Sequence, residues 1–208
     1  MTADEIKQLL QLVPLSIEGG FFRETYRSRW TVSAEYLPDG FAGSRSVGTA
    51  IYYMITAETF STLHRLPGTE VFHFYLGDPA LMLQLLPDGS SRTITLGPDL
   101  LNGQQPQVVV RGHVWQGCRL APGGQWALMG TTMCPGFDYA DYENGDRAQL
   151  TAQYPGAAEK IKEYTRQGPL FARRIFAAKR KNQSCACVFL ALPHGKRGVA
   201  QTVWRNTT

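Results

Sequence analysis

The chain contains few cysteines, and their spacing excludes the common cysteine-based metal and redox motifs. Four cysteines occur among 208 residues, and no two of them have the C-x-x-C spacing of zinc ligands or redox dithiols. Cys118 and Cys134 lie in strand-like sequence, where a free thiol behaves as a small buried hydrophobic group. We therefore predict that the thiols are reduced, as is usual in a cytoplasmic protein.

Long apolar runs are also absent. No segment approaches the roughly 18 consecutive apolar residues that a membrane-spanning helix needs. The N-terminal sequence MTADEIKQLLQLV is polar and amphipathic, and it lacks the basic start and the apolar stretch of a signal peptide. These features predict a cytoplasmic protein with no membrane partner.

Acidic residues are missing from the end of the chain. All 17 of them lie at or before Glu163, so residues 1–163 carry a formal charge of −5 and residues 164–208 carry +9, within a net charge of +4. The basic tail has no recognised nucleic-acid-binding module. We predict an arm that is solvated or docked on the acidic core, and we do not predict nucleic-acid binding.

What the sequence does contain is a regular β pattern. From residue 47, runs rich in Val, Ile, Thr and aromatic residues alternate with turn signals about every ten residues. About nine strands without helices between them predict a mainly β sandwich or jelly roll. The predicted strands are residues 21–30, 47–56, 60–66, 70–77, 80–86, 91–96, 107–111, 113–120 and 125–133.

Short helices are predicted on either side of the β region. Residues 4–13 place apolar side chains on one helical face, and Thr2 with Glu5 can form a capping box at the start of this helix. Two further helical segments are predicted at residues 148–154 and 157–167. The helices thus flank the β domain instead of alternating with its strands, which argues against a βαβ fold.

The most informative stretch is HRLPGTEVFHFYLG, which begins at His64. Alternation along its strand puts Glu70 and Phe72 on one face and His73 and Tyr75 on the other. If the first face points inward, His64 on the preceding strand is the natural partner of Glu70. A buried pair of this kind either acts as an oriented general base or is a hydrogen-bonded structural pair. We predict that His64 and Glu70 converge in a cavity as the catalytic pair.

The same stretch resembles the first sequence motif of the cupins. His64, Glu70 and Gly77 stand at the spacing of that motif, whereas Leu66 occupies the position of its second His. The resemblance therefore implies a cupin fold while leaving the family's set of metal ligands incomplete.

The second cupin motif fits residues 103–119 less closely. Trp115 falls at the position of the third His ligand, and a one-residue bulge would put Gln116 there instead. Neither side chain is a strong metal ligand, and a metal site needs three or four converging ligands. We therefore predict no metal site and no cofactor.

Several further motifs resemble one uncharacterised family of cupins. They are EGGFFRETYRS from residue 18, LGPDL from residue 96, WQG from residue 115, LAPGG from residue 120 and PGFDY from residue 135. Members of this family are RmlC-like jelly rolls, usually dimers, related to the dTDP-sugar epimerases and to germin-type proteins. The resemblance implies a cupin jelly roll with an internal pocket for a small molecule, a homodimer, and no particular reaction.

This family assignment divides the chain into two parts. Residues 5–150 are predicted to form the cupin jelly-roll domain, and residues 151–208 are predicted to form short helices and a basic C-terminal extension.

A predicted substrate-binding set surrounds the catalytic pair, and several of its members have a second interpretation. On their outward face, His73 and Tyr75 either join the site or lie in the dimer interface. Trp115 either lines the pocket or is a core residue. Asp138 either reaches a substrate hydroxyl or caps the next helix. The set is Phe72, His73, Tyr75, Trp115, Gln116, Asp138 and Tyr139.

We predict an isomerase- or epimerase-like enzyme that acts on a polar, sugar-like metabolite. His64 would remove a proton beside a carbonyl, Glu70 would orient the imidazole, and a pocket tyrosine or Asp138 would return the proton. One alternative is a non-catalytic cupin that binds a ligand or serves as a scaffold. Another is a metal-dependent oxygenase in which His73 or His113 turns inward as an extra ligand.

Overall fold

The computed structural model describes residues 1–166, so the predicted basic tail and the end of the last predicted helix lie outside the described residues. The described part is mainly β, as predicted. Its helices are α1 (Ala3–Leu9), α2 (Arg147–Gln153) and α3 (Ala158–Glu163). Its strands are β1 (Val13–Pro14), β2 (Phe21–Arg27), β3 (Thr31–Val32), β4 (Arg45–Ser46), β5 (Thr49–Thr56), β6 (Ser61–Arg65), β7 (Glu70–Gly77), β8 (Ala80–Leu85), β9 (Ser91–Leu96), β10 (Gln107–Val110), β11 (Trp115–Leu120), β12 (Trp126–Met133) and β13 (Glu143–Asn144).

Two antiparallel sheets face each other. The six-stranded sheet has the order β1-β2-β5-β12-β7-β10, and the five-stranded sheet has the order β13-β6-β11-β8-β9. Between β5 and β12 the chain passes repeatedly from one sheet to the other. This wrapping around a common interior is the predicted jelly-roll arrangement, although the two sheets do not join into a closed barrel.

An apolar core fills much of the space between the sheets. It includes the fully buried side chains of Tyr53, Phe72, Met82, Leu96 and Met129. They come from both sheets, because alternation sends every second residue of each strand inward. Each buried side chain of this size stabilises the fold by about 1.5–3 kcal/mol.

The outer faces of the two sheets are covered differently. Helices α2 and α3 pack on the five-stranded sheet, where Leu63 and Trp115 join Leu150 and Ile161 in a second apolar cluster. Helix α1 covers one end of the six-stranded sheet through the buried Ile6. None of the described helices is long and apolar enough to cross a membrane.

The predicted strands agree closely with the observed ones, and eight of the nine have bounds within two residues. Gly77 ends β7 because φ is +97° there and a Cβ would lie 2.4 Å from the Trp126 carbonyl oxygen. Residues 31–46, which lie between the first two predicted strands, contain the short pair β3 and β4.

The N-terminal helix is shorter than predicted. Its capping box between Thr2 and Glu5 is present, but the helix ends at Leu9 instead of residue 13. Gln11 has a φ of +53°, and the following residues leave the helix so that Val13 pairs with β2. Strand pairing therefore overrides the helical periodicity of this segment.

Candidate functional site

The candidate site forms where the chain passes from one sheet to the other. His64 lies on β6 of the five-stranded sheet, Glu70 begins β7 of the six-stranded sheet, and a turn over residues 66–69 joins them. Gly112 keeps this turn close to the loop between β10 and β11, because a Cβ there would lie 2.1 Å from the Pro67 carbonyl oxygen. The two buried side chains therefore face each other across the interior.

Gln116 links these two side chains. It lies directly opposite His64 on the neighbouring strand, and such cross-strand partners project from the same face of a sheet. Its amide donates a hydrogen bond of 2.5 Å to Glu70 Oε2, and its nitrogen lies 3.4 Å from His64 Nε2. The structure thus brings His64, Glu70 and Gln116 together.

A backbone carbonyl fixes the orientation of the His64 ring. Nδ1 lies 2.8 Å from the Thr62 carbonyl oxygen. Because a carbonyl can only accept a hydrogen bond, Nδ1 carries the hydrogen in the neutral ring, and Nε2 keeps its lone pair. Tyr142 stacks on the ring face, with the two centroids 4.9 Å apart and the planes inclined by 18°. The imidazole is thus held with its basic nitrogen directed towards Gln116.

Glu18 is a second carboxylate beside His64, and sequence reasoning missed it as a site residue. Its Oε1 accepts a hydrogen bond of 2.6 Å from Ser61, and its Oε2 lies 4.0 Å from His64 Nε2. The signal in the sequence is the pair of glycines that follows. Gly19 and Gly20 both have positive φ, and a Cβ on either would clash with backbone oxygens, so this tight turn sets Glu18 against β6.

Burial changes the acidity of the groups around His64. Burial raises the pKa of Glu70 above its ordinary value, Glu18 adds to the increase, and positive charge on His64 opposes it. Burial also raises the pKa of Tyr142 well above that of a free tyrosine. The site therefore holds one carboxyl group that retains its proton more readily than a solvated glutamate does.

His64, Glu70 and Glu18 border a small cavity between the sheets. Its volume is about 70 Å³. His64, which is 2% exposed, lies at its buried side, whereas Arg27 and Tyr139 are much more exposed and lie at its mouth. The lining residues are Leu15, Ile17, Glu18, Phe22, Glu24, Arg27, Thr49, Ile51, His64, Leu66, Glu70, Thr131, Met133, Phe137 and Tyr139.

A bulge in β2 brings two charged residues to the cavity mouth. Alternation would put Glu24 and Tyr26 on one face and Arg27 on the other. The register with β5 shifts between Glu24 and Tyr26, so one extra residue, Thr25, restarts the alternation. Glu24 and Arg27 consequently both line the cavity and form an ion pair of 2.7 Å.

Two predicted pocket residues lie elsewhere. Trp115 points to the outer face of the five-stranded sheet, into the cluster beneath α2 and α3, because its neighbour Gln116 takes the inward position. The prediction that Trp115 lines the pocket is therefore wrong, and its alternative as a core residue agrees with this placement. Phe72 shares the inward face with Glu70, but it is part of the apolar core and does not border the cavity.

Two other predicted residues lie on the outside of the six-stranded sheet. His73 contacts Thr132 and Gln107, and its ring stacks on Tyr75 at a centroid distance of 6.4 Å. Neither residue borders the cavity. Alternation along β7 accounts for this placement, since the inward positions are taken by Glu70 and Phe72.

The two predicted site residues in the loop after β12, Asp138 and Tyr139, lie in different surroundings. Asp138 is exposed, and its side chain accepts a hydrogen bond from the Ala140 amide at the start of a single 3₁₀ turn, Tyr139–Asp141. This is the capping alternative. Tyr139 borders the cavity and packs edge-on against Phe137, with centroids 5.0 Å apart. The same loop is anchored by Asp141, which forms a buried ion pair with Arg45.

The donor set does not fit a cupin metal centre. Within residues 1–166, no three His, Cys, Asp or Glu side chains converge so that they could hold a metal ion. His73 points outward, and the exposed His113 lies in a turn with a φ of +66°. The described residues therefore do not supply the three or four ligands that such a centre needs.

Two facing sheets of jelly-roll connectivity with a cavity between them are typical of the cupin class. The chain belongs to the family described as Cupin superfamily (DUF985), whose model matches residues 4–145. The predicted cupin jelly-roll fold and the predicted membership of an uncharacterised cupin family are both confirmed.

Similar proteins occur in distant organisms. A hypothetical protein from Leishmania major is 31% identical, with a TM-score of 0.73 over 80% of this chain and 100% of that chain. Protein SO0799 from Shewanella oneidensis is 28% identical, with a TM-score of 0.70 over 81% of this chain and 99% of that chain. The uncharacterized yeast protein YML079W is 29% identical over 60% of this chain and 66% of its own length, so the match spans just under two thirds of that relative.

Proposed function

We propose that the protein binds a small polar metabolite in the cavity and that His64 acts on it as a general base, in an isomerase- or epimerase-like proton transfer. One observation carries this proposal. The Thr62 carbonyl holds Nδ1, which leaves the Nε2 lone pair of a buried imidazole beside two carboxylates, those of Glu18 and Glu70.

The cavity size limits what reacts there. Pockets that enclose a whole drug-sized ligand measure about 300–1,000 Å³. A cavity of about 70 Å³ admits only one small group of a ligand. The remainder of the molecule would lie at the mouth, against the Glu24–Arg27 pair and the rings of Phe137 and Tyr139.

The proposed proton transfer uses the three ionisable groups in different roles. His64 Nε2 takes the proton, and the Glu18 carboxylate, 4.0 Å away, stabilises the resulting imidazolium. Glu70 is suited to return a proton, because burial raises its pKa and Gln116 holds it in place. In this scheme Glu18, and not Glu70, is the carboxylate nearest the base.

Hydrogen–deuterium exchange tests the proposal without knowledge of the product. The full-length protein is incubated in D₂O with glycolaldehyde, dihydroxyacetone, pyruvate or alaninamide, and loss of the C–H signal beside the carbonyl is followed by proton NMR. We expect the wild type to accelerate exchange of at least one compound. His64→Gln should lower that rate by about 100-fold or more, since a general base typically contributes this much.

The chain offers a matched control for this variant. His73→Gln removes the same side chain from the outer face of the sheet and should leave the exchange rate unchanged. If His64→Gln and the wild type exchange a compound equally fast, the proposed base is wrong.

A non-catalytic ligand-binding protein is the second candidate. Within the described residues, every fully buried side-chain nitrogen and oxygen already has a hydrogen-bond partner. The hydrogen bonds of the polar cluster are therefore satisfied without a reacting molecule, which is consistent with a non-catalytic role for His64 and Glu70. Binding of a metabolite to the wild type without any exchange would support this candidate over the enzyme.

We also propose that the outer face of the six-stranded sheet is covered by a second copy of the chain. On the part of this face that α1 does not cover, Tyr75, Leu76 and Val109 are 45–48% exposed. Tyr75 stacks with His73 and lies edge-on to Tyr52, so this face presents rigid aromatic surface of the kind enriched in interfaces. A twofold axis would place the face against itself.

Molar mass in solution tests this arrangement. By size-exclusion chromatography with light scattering, the wild type should have twice the chain mass of 23.1 kDa. The double variant Tyr75→Asp, Val109→Asp should have the mass of one chain, because two buried charges would oppose association. A wild-type protein with the mass of one chain would disprove the dimer.

A further inference from the structure

The hydrogen-bonding atoms at the buried side of the cavity, around His64, Glu18 and Glu70, are mainly acceptors. His64 Nε2 holds a lone pair, and Glu18 and Glu70 contribute carboxylate oxygens. The donors beside them are already engaged. The Ser61 hydroxyl donates to Glu18 over 2.6 Å, and the Gln116 amide donates to Glu70 over 2.5 Å. A ligand group that reaches this buried side therefore meets carboxylate acceptors, since the Ser61, Gln116 and Thr131 donors there are already directed to Glu18 and Glu70.

The cation at the mouth is already neutralised. Arg27 donates to both carboxylate oxygens of Glu24 at 2.7–3.2 Å, and its Nη1 donates to the Phe137 carbonyl oxygen at 3.1 Å. A carboxylate or phosphate from a ligand would have to displace Glu24 before it could pair with Arg27. With this pair balanced, Glu18 and Glu70 give the lining residues a surplus of acid over base.

We propose that the group entering the cavity is a primary ammonium, carried by an amine-bearing metabolite. An ammonium has three donors and no acceptor, and this matches Glu18 Oε2 and a Glu70 oxygen, which leaves His64 Nε2 free to act as the base. Its small size also suits a cavity of about 70 Å³, which has room for only a few non-hydrogen atoms. This inference deepens the proposed function by naming the class of ligand, and it uses the same cavity.

Small charged probes test the inference directly. Calorimetric Tm values of the full-length protein are compared in ethylammonium chloride, sodium acetate, ethanol and sodium chloride at equal concentration. We expect ethylammonium at about 100 mM to raise the Tm by about 3 °C over sodium chloride, because it binds only the folded state. Acetate and ethanol, which are of similar size, should give no such increase.

Two carboxylate variants locate the binding. Glu18→Gln and Glu70→Gln each remove one acceptor charge and should abolish the increase produced by ethylammonium. The control is Glu163→Gln, which removes an exposed carboxylate paired with Arg119 and should keep the full increase. If either cavity variant does not fold, the comparison of the four probes with the wild type still decides the question.

Several results would overturn the inference. They are an increase in Tm with acetate as large as that with ethylammonium, no increase with ethylammonium in the wild type, or an increase that survives both cavity substitutions. The outcome of the deuterium-exchange experiment is independent of ammonium binding. Exchange of a neutral compound without ammonium binding would support His64 as the base and disprove only the proposed ligand class. Ammonium binding without exchange would support the ligand class and disprove the proposed base.

Discussion

The two faces of the five-stranded sheet carry opposite kinds of side chain at adjacent positions. Leu63 and Trp115 point outward into the apolar cluster beneath α2 and α3, whereas the next residues, His64 and Gln116, point inward to the polar cluster with Glu70. The same pair of strands thus supports stability on one face and the candidate chemistry on the other. Substitutions one residue apart should therefore have separable effects on folding and on the site.

The largest effect is expected at the outer face. Trp115→Ala should lower the free energy of unfolding by about 3–5 kcal/mol, because it leaves a void among Leu150, Tyr154 and Ile161. Urea denaturation measures this loss. The control Trp30→Ala removes a side chain that is 79% exposed and should change stability by less than about 0.5 kcal/mol. Similar losses for the two variants would show that the outer cluster contributes little.

A smaller loss of stability is expected on the inner face. Gln116→Leu should lower the free energy of unfolding by about 1–3 kcal/mol, because it leaves the buried Glu70 carboxylate without its amide donor. Gln107→Leu, at an exposed position next to His73, is the matched control and should have little effect. Equal denaturation midpoints for the two variants would contradict the role given to the Gln116 hydrogen bond.

The inner face should also make stability depend on pH. Because burial raises the pKa of Glu70 above its ordinary value of 4.5, the folded state holds this proton more tightly than the unfolded chain. Its contribution to stability is therefore fully present below pH 4.5 and is lost as the pH rises through the folded-state pKa. In urea denaturation at a series of pH values, the wild type should lose stability relative to Glu70→Gln over this interval. Parallel curves for the two proteins would contradict the prediction.

The smallest effect is expected at the rim of the outer face. Glu163 pairs with Arg119 over 2.6 Å, but both side chains are about half exposed. Glu163→Gln should therefore change the free energy of unfolding by less than about 0.5 kcal/mol. A loss above 1 kcal/mol in denaturant would show that the rim contributes to the cluster beneath the helices.

Much of the fold could be predicted from the sequence, because alternation and turn residues act locally. The limits of β7 and β9 were predictable to the residue, since each strand ends at a turn signal. The approach of His64 to Glu70 was also predictable, because six residues across a tight turn leave few geometries. The wider family motifs then supplied the jelly-roll topology, which strand patterns alone do not determine.

The rest of the site depends on contacts between distant segments. Glu18 is 46 positions before His64 in the sequence, and only the folded turn at Gly19 and Gly20 brings it close. Tyr142 reaches the imidazole because β13, which is two residues long, pairs with β6 beside it. A strand this short has no periodicity that could be recognised from sequence.

The bulge at Thr25 makes the charge at the cavity mouth depend on strand length as well as on residue type. Insertion of one residue between Glu24 and Arg27, with the bulge retained, would shift the alternation by one position and turn the guanidinium to the opposite side of the sheet. The remaining Glu24 would then stand alone at the entrance, and cations would be favoured still more strongly. A single-residue insertion in β2 would therefore change the charge at the cavity mouth while every lining residue keeps its identity.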